Sequence, residues 1–581
     1  DFFHARLSIQ DLTDAGAQPM QLRDRYTIVF NGEIYNHMEL RSRFALHANT
    51  RSDTETILLL YEKLGPSFLN ELDGMFAIAI YDAEKKQLFL ARDRAGKKPM
   101  YIYQKNNALL FCSELNALQS QVPLEINQAS FFHYLRLGVF YRQFTPYHNV
   151  SELRAGTYWL VDVNTLQVSE SRWWNINHFY QQRSSDTLEE AIQKTDHLLH
   201  QAIRRRIDAS DLDVGCFLSG GIDSGLITAI ASAIKGRLKT FTVSVLGEYD
   251  EAPLAKLVAN RYATEHTEIT ISFDRLKNDV EKIICQHGEP FFDSSNIPTY
   301  YVSQVTKQYV TVVLNGDGAD ELFGGYRRYV PFTTIDFFNT GSLVRGAAKI
   351  AGRILPPANK KKSFYFFLTR FFSFAARKDL EIYLSAGIDL IDDYEDQILA
   401  NAQDYLQPLR HDFKQITESG ISGLKKIMNL DFDTNLFSDL LVKMDIATMA
   451  HSLEGRSPFL CKELLEYAPT LDDRLKIRGS TTKYILRQLA KKYLPEPLIH
   501  QPKRGFEIPL KTWVNGALRD MISDYLLSRD AYHHQLLKPT FVQQVLENRI
   551  AIPAEKKAKI LWMLFCLEVW YKKSHQLPGL N

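Results

Sequence analysis

Val214 to Leu218 is an unbroken apolar run, Ser219-Gly220-Gly221-Ile222-Asp223-Ser224 follows it, and Leu226 to Ile234 reads as a helix. A buried strand, a Gly-rich turn and a helix in that order commit this part of the chain to a parallel α/β layout. The turn also gathers free backbone N–H groups at the positive end of a helix, which favours a phosphate. No GxxxxGK[ST] is present, so this is not the loop that handles a γ-phosphate in P-loop enzymes. An ordinary glycine turn with a serine cap is the alternative reading.

The same alternation continues downstream. Strands are expected at Leu238 to Val245, Glu268 to Ile271 and Val310 to Leu314, with a helix at Ala252 to Tyr262. Ligands in such sheets bind beyond the carboxyl ends of the strands, where both Ser219 and the Asn315-Gly316-Asp317-Gly318 turn fall. Past residue 330 the pattern is helical to about Lys573. The first hundred residues are different: short apolar runs (Tyr26 to Phe30, Phe76 to Tyr81, Leu88 to Ala91) are separated by turns at Asn31-Gly32 and at Asp93 to Lys98, with a helix at Thr54 to Leu64. A helical piece near Ala129 to Leu137 precedes a second sheet-like stretch, Gly156 to Trp174. Gln181 to Ser185 is a polar linker. Asp186 with Glu189 forms a capping arrangement, and Leu188, Ile192, Thr195, Leu199 and Ile203 recur at helical spacing. The boundary is therefore set at residues 183 and 184.

At 581 residues the chain needs two to four domains. Its 45% hydrophobic and 24% charged content is that of a soluble globular protein. A formal charge of +1 gives no argument for nucleic acid or an anionic membrane, and Lys360-Lys361-Lys362 after Pro356-Pro357 reads as a solvated loop. No apolar run is long enough to span a bilayer. Five scattered cysteines without CxxC spacing argue against a disulfide framework or a zinc site and make a reducing cytoplasm the default. The sequence opens on Asp1, close to strand-like residues, and reads as cut.

Asn315 to Tyr326 packs three carboxylates (Asp317, Asp320 and Glu321) and four glycines into one segment. Carboxylates beside a phosphate site call for a divalent cation between them, and Mg²⁺ takes one or two carboxylates plus phosphate oxygens. Asp223 and Asp320 are the natural pair.

The pattern S-G-G-x-D-S resembles the pyrophosphate loop of the ATP pyrophosphatases. With Asp317 to Tyr326, Lys443-Met444-Asp445, Met449 to Glu454, Arg456-Ser457-Pro458-Phe459-Leu460 and Lys483 to Arg487, the chain is similar to glutamine-dependent asparagine synthetases of the class B type. Lys503-Arg504-Gly505-Phe506 to Pro509 with Trp513 resembles the longer bacterial members. The resemblance implies an ATP-pyrophosphatase α/β domain over 184–581 that turns aspartate into asparagine through β-aspartyl-AMP. ATP and Mg²⁺ are the implied cofactors. It assigns Leu218, Ser219, Gly220, Gly221, Asp223, Ser224, Val243, Asn315 and Gly316 to the nucleotide and Asp223 and Asp320 to the metal. Lys483 becomes the charge near phosphorus and Asp317 the base for ammonia attack. Three positions depart from the family pattern: Asn315 for Ser, Ile446 for Arg and Cys461 for Asp. The last two suggest a lost ion pair or altered substrate contacts, and leave another carboxylate open as acceptor.

The first 183 residues resemble the class II glutaminase of the same family, an N-terminal-nucleophile αββα sandwich. The matching segments are Arg6 to Ile9, Gln18-Pro19-Met20, Asn31 to Asn36, Ser52 to Glu55, Gly74 to Ala77 and Arg92 to Pro99. By that resemblance Arg6 forks onto the glutamine α-carboxylate, Asp53 and Glu33 meet its ammonium, and Asn31 and Gly32 supply oxyanion donors. Alone, an Asn-Gly is a turn and a lone arginine a surface charge. The family's nucleophile is an N-terminal cysteine with its own amine as base, and it belongs upstream of residue 1. Cys112, Cys216, Cys285, Cys461 and Cys566 read as packed thiols. The chain as given is thus expected to use ammonium and not glutamine, with a β-lactam synthetase-like ligase as the rival reading. A non-catalytic relative is opposed by intact Asp223, Asp317, Asp320 and Lys483. The remaining expectations are a cytoplasmic enzyme with small-molecule substrates, no nucleic acid or membrane partner, and a homodimer by family resemblance.

Overall fold

The structure is a computed structural model that describes residues 1–141, 143–244, 250–271, 273–354, 364–386, 390–399, 406–501 and 508–575. Val245, Lys360 to Lys362 and Lys503 to Phe506 lie outside the described residues.

The N-terminal part is built on two antiparallel sheets. The larger runs β1 (Met20–Leu22), β2 (Tyr26–Ile34), β3 (Gly74–Asp82), β4 (Gln87–Arg92), then β8 (Thr157–Asp162) and β9 (Val168–Arg172). The smaller places β5 (Tyr101–Lys105) between β6 (Ala108–Cys112) and β7 (Val150–Glu152). Ile28, Phe30 and Ile78 face helix α1 (Asp53–Leu64) through Ile57 and Leu58. Val29, Ala77 and Leu90 on the opposite face meet Ile102 of the second sheet and Met100 just before it. The outer side of that sheet, Tyr101 and Tyr103, packs on α2 (Phe131–Leu137). Helix, sheet, sheet and helix are thus four layers. Both faces of β3 are covered, which is why its sequence is almost continuously apolar and does not alternate.

Helix α3 (Leu188–Asp208) leads into the second part. Its capping box is Thr187 with Glu190, one residue later than the expected Asp186 and Glu189. A five-stranded parallel sheet follows, in the order β12 (Glu265–Thr270), β11 (Lys239–Ser244), β10 (Val214–Phe217), β13 (Val312–Leu314), β14 (Glu454–Arg456). Helix α4 (Ile222–Lys235) starts inside the Gly-rich loop, four residues before the expected Leu226, and α5 (Ala252–Arg261) follows β11. β14 was not foreseen in a region read as helical. Beyond the sheet lie the helical elements, among them α6 (Ser342–Ile354), α7 (Phe364–Ala375), α8 (Leu441–Met449), α9 (Tyr484–Tyr493) and α10 (Ala554–Trp570). Helix α10 shares a core with α2, and the Trp570 and Phe131 rings lie 5.5 Å apart.

Candidate active site

A cavity of about 690 Å³ opens at the carboxyl ends of β10 and β13. Leu218, Ser219, Asp223, Ser224, Val243, Asn315, Gly316, Asp317 and Asp320 all line it, as expected of a crevice in a parallel sheet. The loop is braced by its own serines. Ser224 Oγ accepts the Ser219 N–H at 3.1 Å and lies 2.9 Å from Ser219 Oγ, while Ser219 Oγ accepts the Gly221 N–H at 3.2 Å. Gly220 and Gly221 complete the turn into α4, whose first turn holds Asp223.

Lys483 enters from the start of α9 in a left-handed backbone conformation, φ 50°, which a side-chain-bearing residue seldom adopts. Its buried Nζ stands 2.5 Å from Asp223 Oδ2 and 2.6 Å from Asp320 Oδ1. One ammonium therefore joins the two carboxylates paired from sequence. Gly325 permits this approach, because a Cβ there would overlap the Asp320 carboxylate and Lys483 Cε. Asp223 Oδ1 is buried without a hydrogen-bond partner. Two converging carboxylates with an open oxygen fit a cation that takes its other ligands from phosphate. Among the described residues no group of three or more His, Cys, Asp or Glu forms a metal cage of its own.

Asp317 lines the cavity, and its N–H reaches Asn315 Oδ1 at 3.3 Å. Asn315 Oδ1 also accepts the Ser457 hydroxyl at 2.7 Å, while its Nδ2 is buried without a hydrogen-bond partner. Glu321, given no role from sequence, accepts the Tyr326 hydroxyl at 2.5 Å. Burial and neighbouring Asp320 push its carboxyl up to about 7. On the cavity wall Lys443 Nζ lies 2.9 Å from Asp293 Oδ2 and 2.8 Å from Ser295 Oγ. Burial opposes ionisation of Asp293, but Lys443 outweighs it and holds that carboxyl below its ordinary range. Asp439, behind them, is raised well above its own by burial and by Asp293.

A second, smaller cavity of about 80 Å³ gathers Arg6, Asn31, Gly32, Glu33 and Asp53. The expected turn at Asn31-Gly32 is overturned: both residues lie within β2, opposite Ala77 and Phe76. Gly32 has φ +148°, and a Cβ there would overlap the Met75 carbonyl oxygen, so close strand approach requires the glycine. The strand still supplies a donor. Phe30 N–H bonds Gln18 Oε1 at 2.6 Å and Ile34 N–H bonds Asp53 Oδ2 at 3.0 Å. Alternation along a strand puts the Gly32 N–H on that same side, between them and toward the cavity.

Arg6 and Glu33 are already engaged within the protein. The Arg6 guanidinium donates to the carbonyls of Thr13, Gln10 and Asp11 at 2.8, 3.0 and 2.5 Å. Glu33 accepts from Gln10 and pairs with Arg456 Nη2 at 2.9 Å. Burial raises both Glu33 and Asp53 above the usual carboxylate range. Lys98 also lines this cavity and reaches Asp445 Oδ1 at 2.7 Å.

Arg456 connects the two sites. Its fully buried guanidinium bonds Glu454 at 2.7 Å, the Arg206 and Ala209 carbonyls at 2.6 and 2.9 Å, and Glu33. Its own carbonyl accepts the Asn315 N–H at 2.9 Å. The motif containing it was legible, its role was not. Cys461 lines neither cavity; its sulfur accepts the Leu464 N–H at 3.4 Å as a helix cap, and Asp73 takes the Lys462 N–H at 3.2 Å. Ile446 likewise stands away from both, in a small crevice with Lys97 and Asp445.

Residues 194–572 match the family model described as asparagine synthase, and residues 2–174 match a glutamine amidotransferase domain. Among curated relatives, glutamine-hydrolyzing asparagine synthetase 1 of Bacillus subtilis (strain 168) is 30% identical, covering 98% of this chain and 89% of its own. The same organism's asparagine synthetase 3 is 25% identical over 94% of this chain and 86% of its own. Asparagine synthetase B of Escherichia coli (strain K12) is 32% identical over 56% of each.

Proposed function

The chain belongs to the asparagine synthase family, and we propose that this glutamine-dependent, asparagine synthetase-like amidotransferase adenylates the side-chain carboxylate of aspartate and converts it to the amide. The observation that carries the reading is Lys483 joining Asp223 and Asp320 beside the Ser219–Ser224 loop, with Asp317 in the cavity that the two carboxylates line. ATP sits with its pyrophosphate on the N–H and hydroxyl donors of Ser219, Gly220, Gly221 and Ser224. The acceptor carboxylate attacks the α-phosphorus and pyrophosphate leaves. Lys483 offsets the charge that grows on the phosphoryl oxygens. Asp317 then takes a proton from ammonia as its nitrogen attacks the acyl carbon, and AMP departs. Mg²⁺ held by Asp223 and Asp320 would neutralise phosphate charge in this site.

Aspartate suits the wall opposite. An amino acid presents one carboxylate and one ammonium besides the reacting group, and Lys443 beside Asp293 offers one charge of each sign. The glutamine pocket is assigned to Arg6, Asn31, Gly32, Glu33 and Asp53, within a domain spanning 1–183, and the synthetase domain to 184–581.

The reading is tested by pyrophosphate release with ATP, Mg²⁺ and ammonium, and with aspartate, glutamate or no acceptor. Aspartate-dependent release with asparagine as product is expected. Release that depends on a different carboxylate would remove the aspartate assignment and leave the adenylation chemistry standing.

A further inference from the structure

From Phe337 to Lys378 the chain carries nine Lys and Arg residues and no Asp or Glu, although its overall charge is only +1. Helices α6 and α7 pack on each other in this stretch. On the inner side of α6, Ala348 is buried in a cluster with Phe332, Phe337 and Phe374. The outer side is the unusual one. Leu343, Ala347, Ile350 and Ile354 follow at helical spacing and form a single stripe. Its large members are 89%, 63% and 76% exposed in that order, and Val344 beside them is 56% exposed. A globular helix turns such a stripe to the core; this one turns it to solvent. Lys349 is exposed on the same helix, Arg353 follows four residues on, and Arg345 folds back onto the Thr340 carbonyl. No acidic residue lies among them.

We propose that α6 is a docking face for the surface of an anionic lipid bilayer, lying in the interface plane with its apolar stripe among the acyl chains and its cations at the headgroups. Charge selects this occupant. A second copy meeting this face with its own would bring cations against cations with no carboxylate to answer them. A nucleic acid would satisfy the cations and leave the stripe in water. Among the described residues no helix is long and apolar enough to cross a membrane, so the contact is peripheral. The whole-chain charge gave no hint of it, because acidic residues elsewhere balance the segment.

The test is co-sedimentation of the full chain with phosphatidylcholine vesicles, with or without about one quarter phosphatidylserine. Binding to the anionic vesicles alone, weakened by added salt, is expected. Leu343→Glu combined with Ile350→Glu, at positions outside both cavities, should lower vesicle affinity at least about tenfold and leave ammonium-dependent pyrophosphate release unchanged. Lys349→Glu should weaken binding to anionic vesicles in the same direction. No binding to anionic vesicles, equal binding to neutral ones, or binding indifferent to these substitutions would overturn the proposal. So would a dimer that the Leu343→Glu, Ile350→Glu variant dissolves, since a second copy would then be the occupant.

Discussion

Arg456→Met would show how firmly the two halves are joined. The guanidinium donates four hydrogen bonds inside the protein, two to the carboxylates of Glu33 and Glu454 and two to the carbonyls of Arg206 and Ala209. Methionine fills much of the volume and answers none of them. Removing one partner of a buried charge cluster costs about 3–5 kcal/mol, since the carboxylates left behind have neither water nor a cation. Protonation caps that cost: Glu33, already raised by burial and by Asp53, takes up a proton once the arginine is gone. The folded variant then binds more protons than its unfolded chain, so its stability falls as pH rises. The deficit should be about 3 kcal/mol or more near pH 8 and visibly smaller near pH 5. Denaturant titration at both pH values measures it, with the first unfolding transition as the readout in a multidomain chain. Adding Glu33→Gln should recover at least about 1 kcal/mol, the mark of a direct pair. A variant within about 0.5 kcal/mol of the parent at both pH values, or no recovery in the double variant, would refute the reasoning.

Lys483→Met leaves Asp223 and Asp320 facing each other, and ammonium-dependent pyrophosphate release should lose about two to three orders of magnitude in kcat; steady-state kinetics check this. Gly32→Ala places a methyl group on the Met75 carbonyl and should destabilise the N-terminal part by about 1–3 kcal/mol, seen as an earlier first melting transition. Lys476, buried and bonded to the Pro469 and Leu471 carbonyls at 3.1 Å, is held down at about 7 by burial and by Lys425. Its unfolded state binds the extra proton between there and the ordinary 10.5, so stability should rise with pH across that window. Lys476→Met should flatten the rise in a pH series of denaturant midpoints.

The alternating core of the synthetase half was legible because β10 and β13 are short apolar runs ending in a turn, and Ser219, Asp223 and Asp317 follow from those strand ends. β14 was not: Glu454-Gly455-Arg456 has no apolar pattern, and it is a buried strand because it pairs with β13 while Arg456 meets Glu33, 423 residues away. Asn31-Gly32 misled for the opposite reason. Its local chemistry is that of a turn, while tertiary contact with Met75 uses the same glycine inside a strand. Taken alone Lys483 reads as a surface lysine and only its motif raises it; its placement depends on a left-handed backbone and on Gly325, which only the fold brings together. Neither Ile446 nor Cys461 lines the nucleotide cavity, so the substrate contact suspected at those positions finds no support in the geometry.

Adenylation of the acceptor by the Ser219–Ser224 site leaves a mark on its products. With aspartate labelled in its side-chain carboxylate with heavy oxygen, ATP, Mg²⁺ and ammonium, mass spectrometry of the nucleotide product is the most direct measurement. AMP carrying one heavy oxygen, formed in step with asparagine and pyrophosphate and absent in Asp223→Ala, is the predicted result. Unlabelled AMP, or ADP and inorganic phosphate in place of AMP and pyrophosphate, would contradict it.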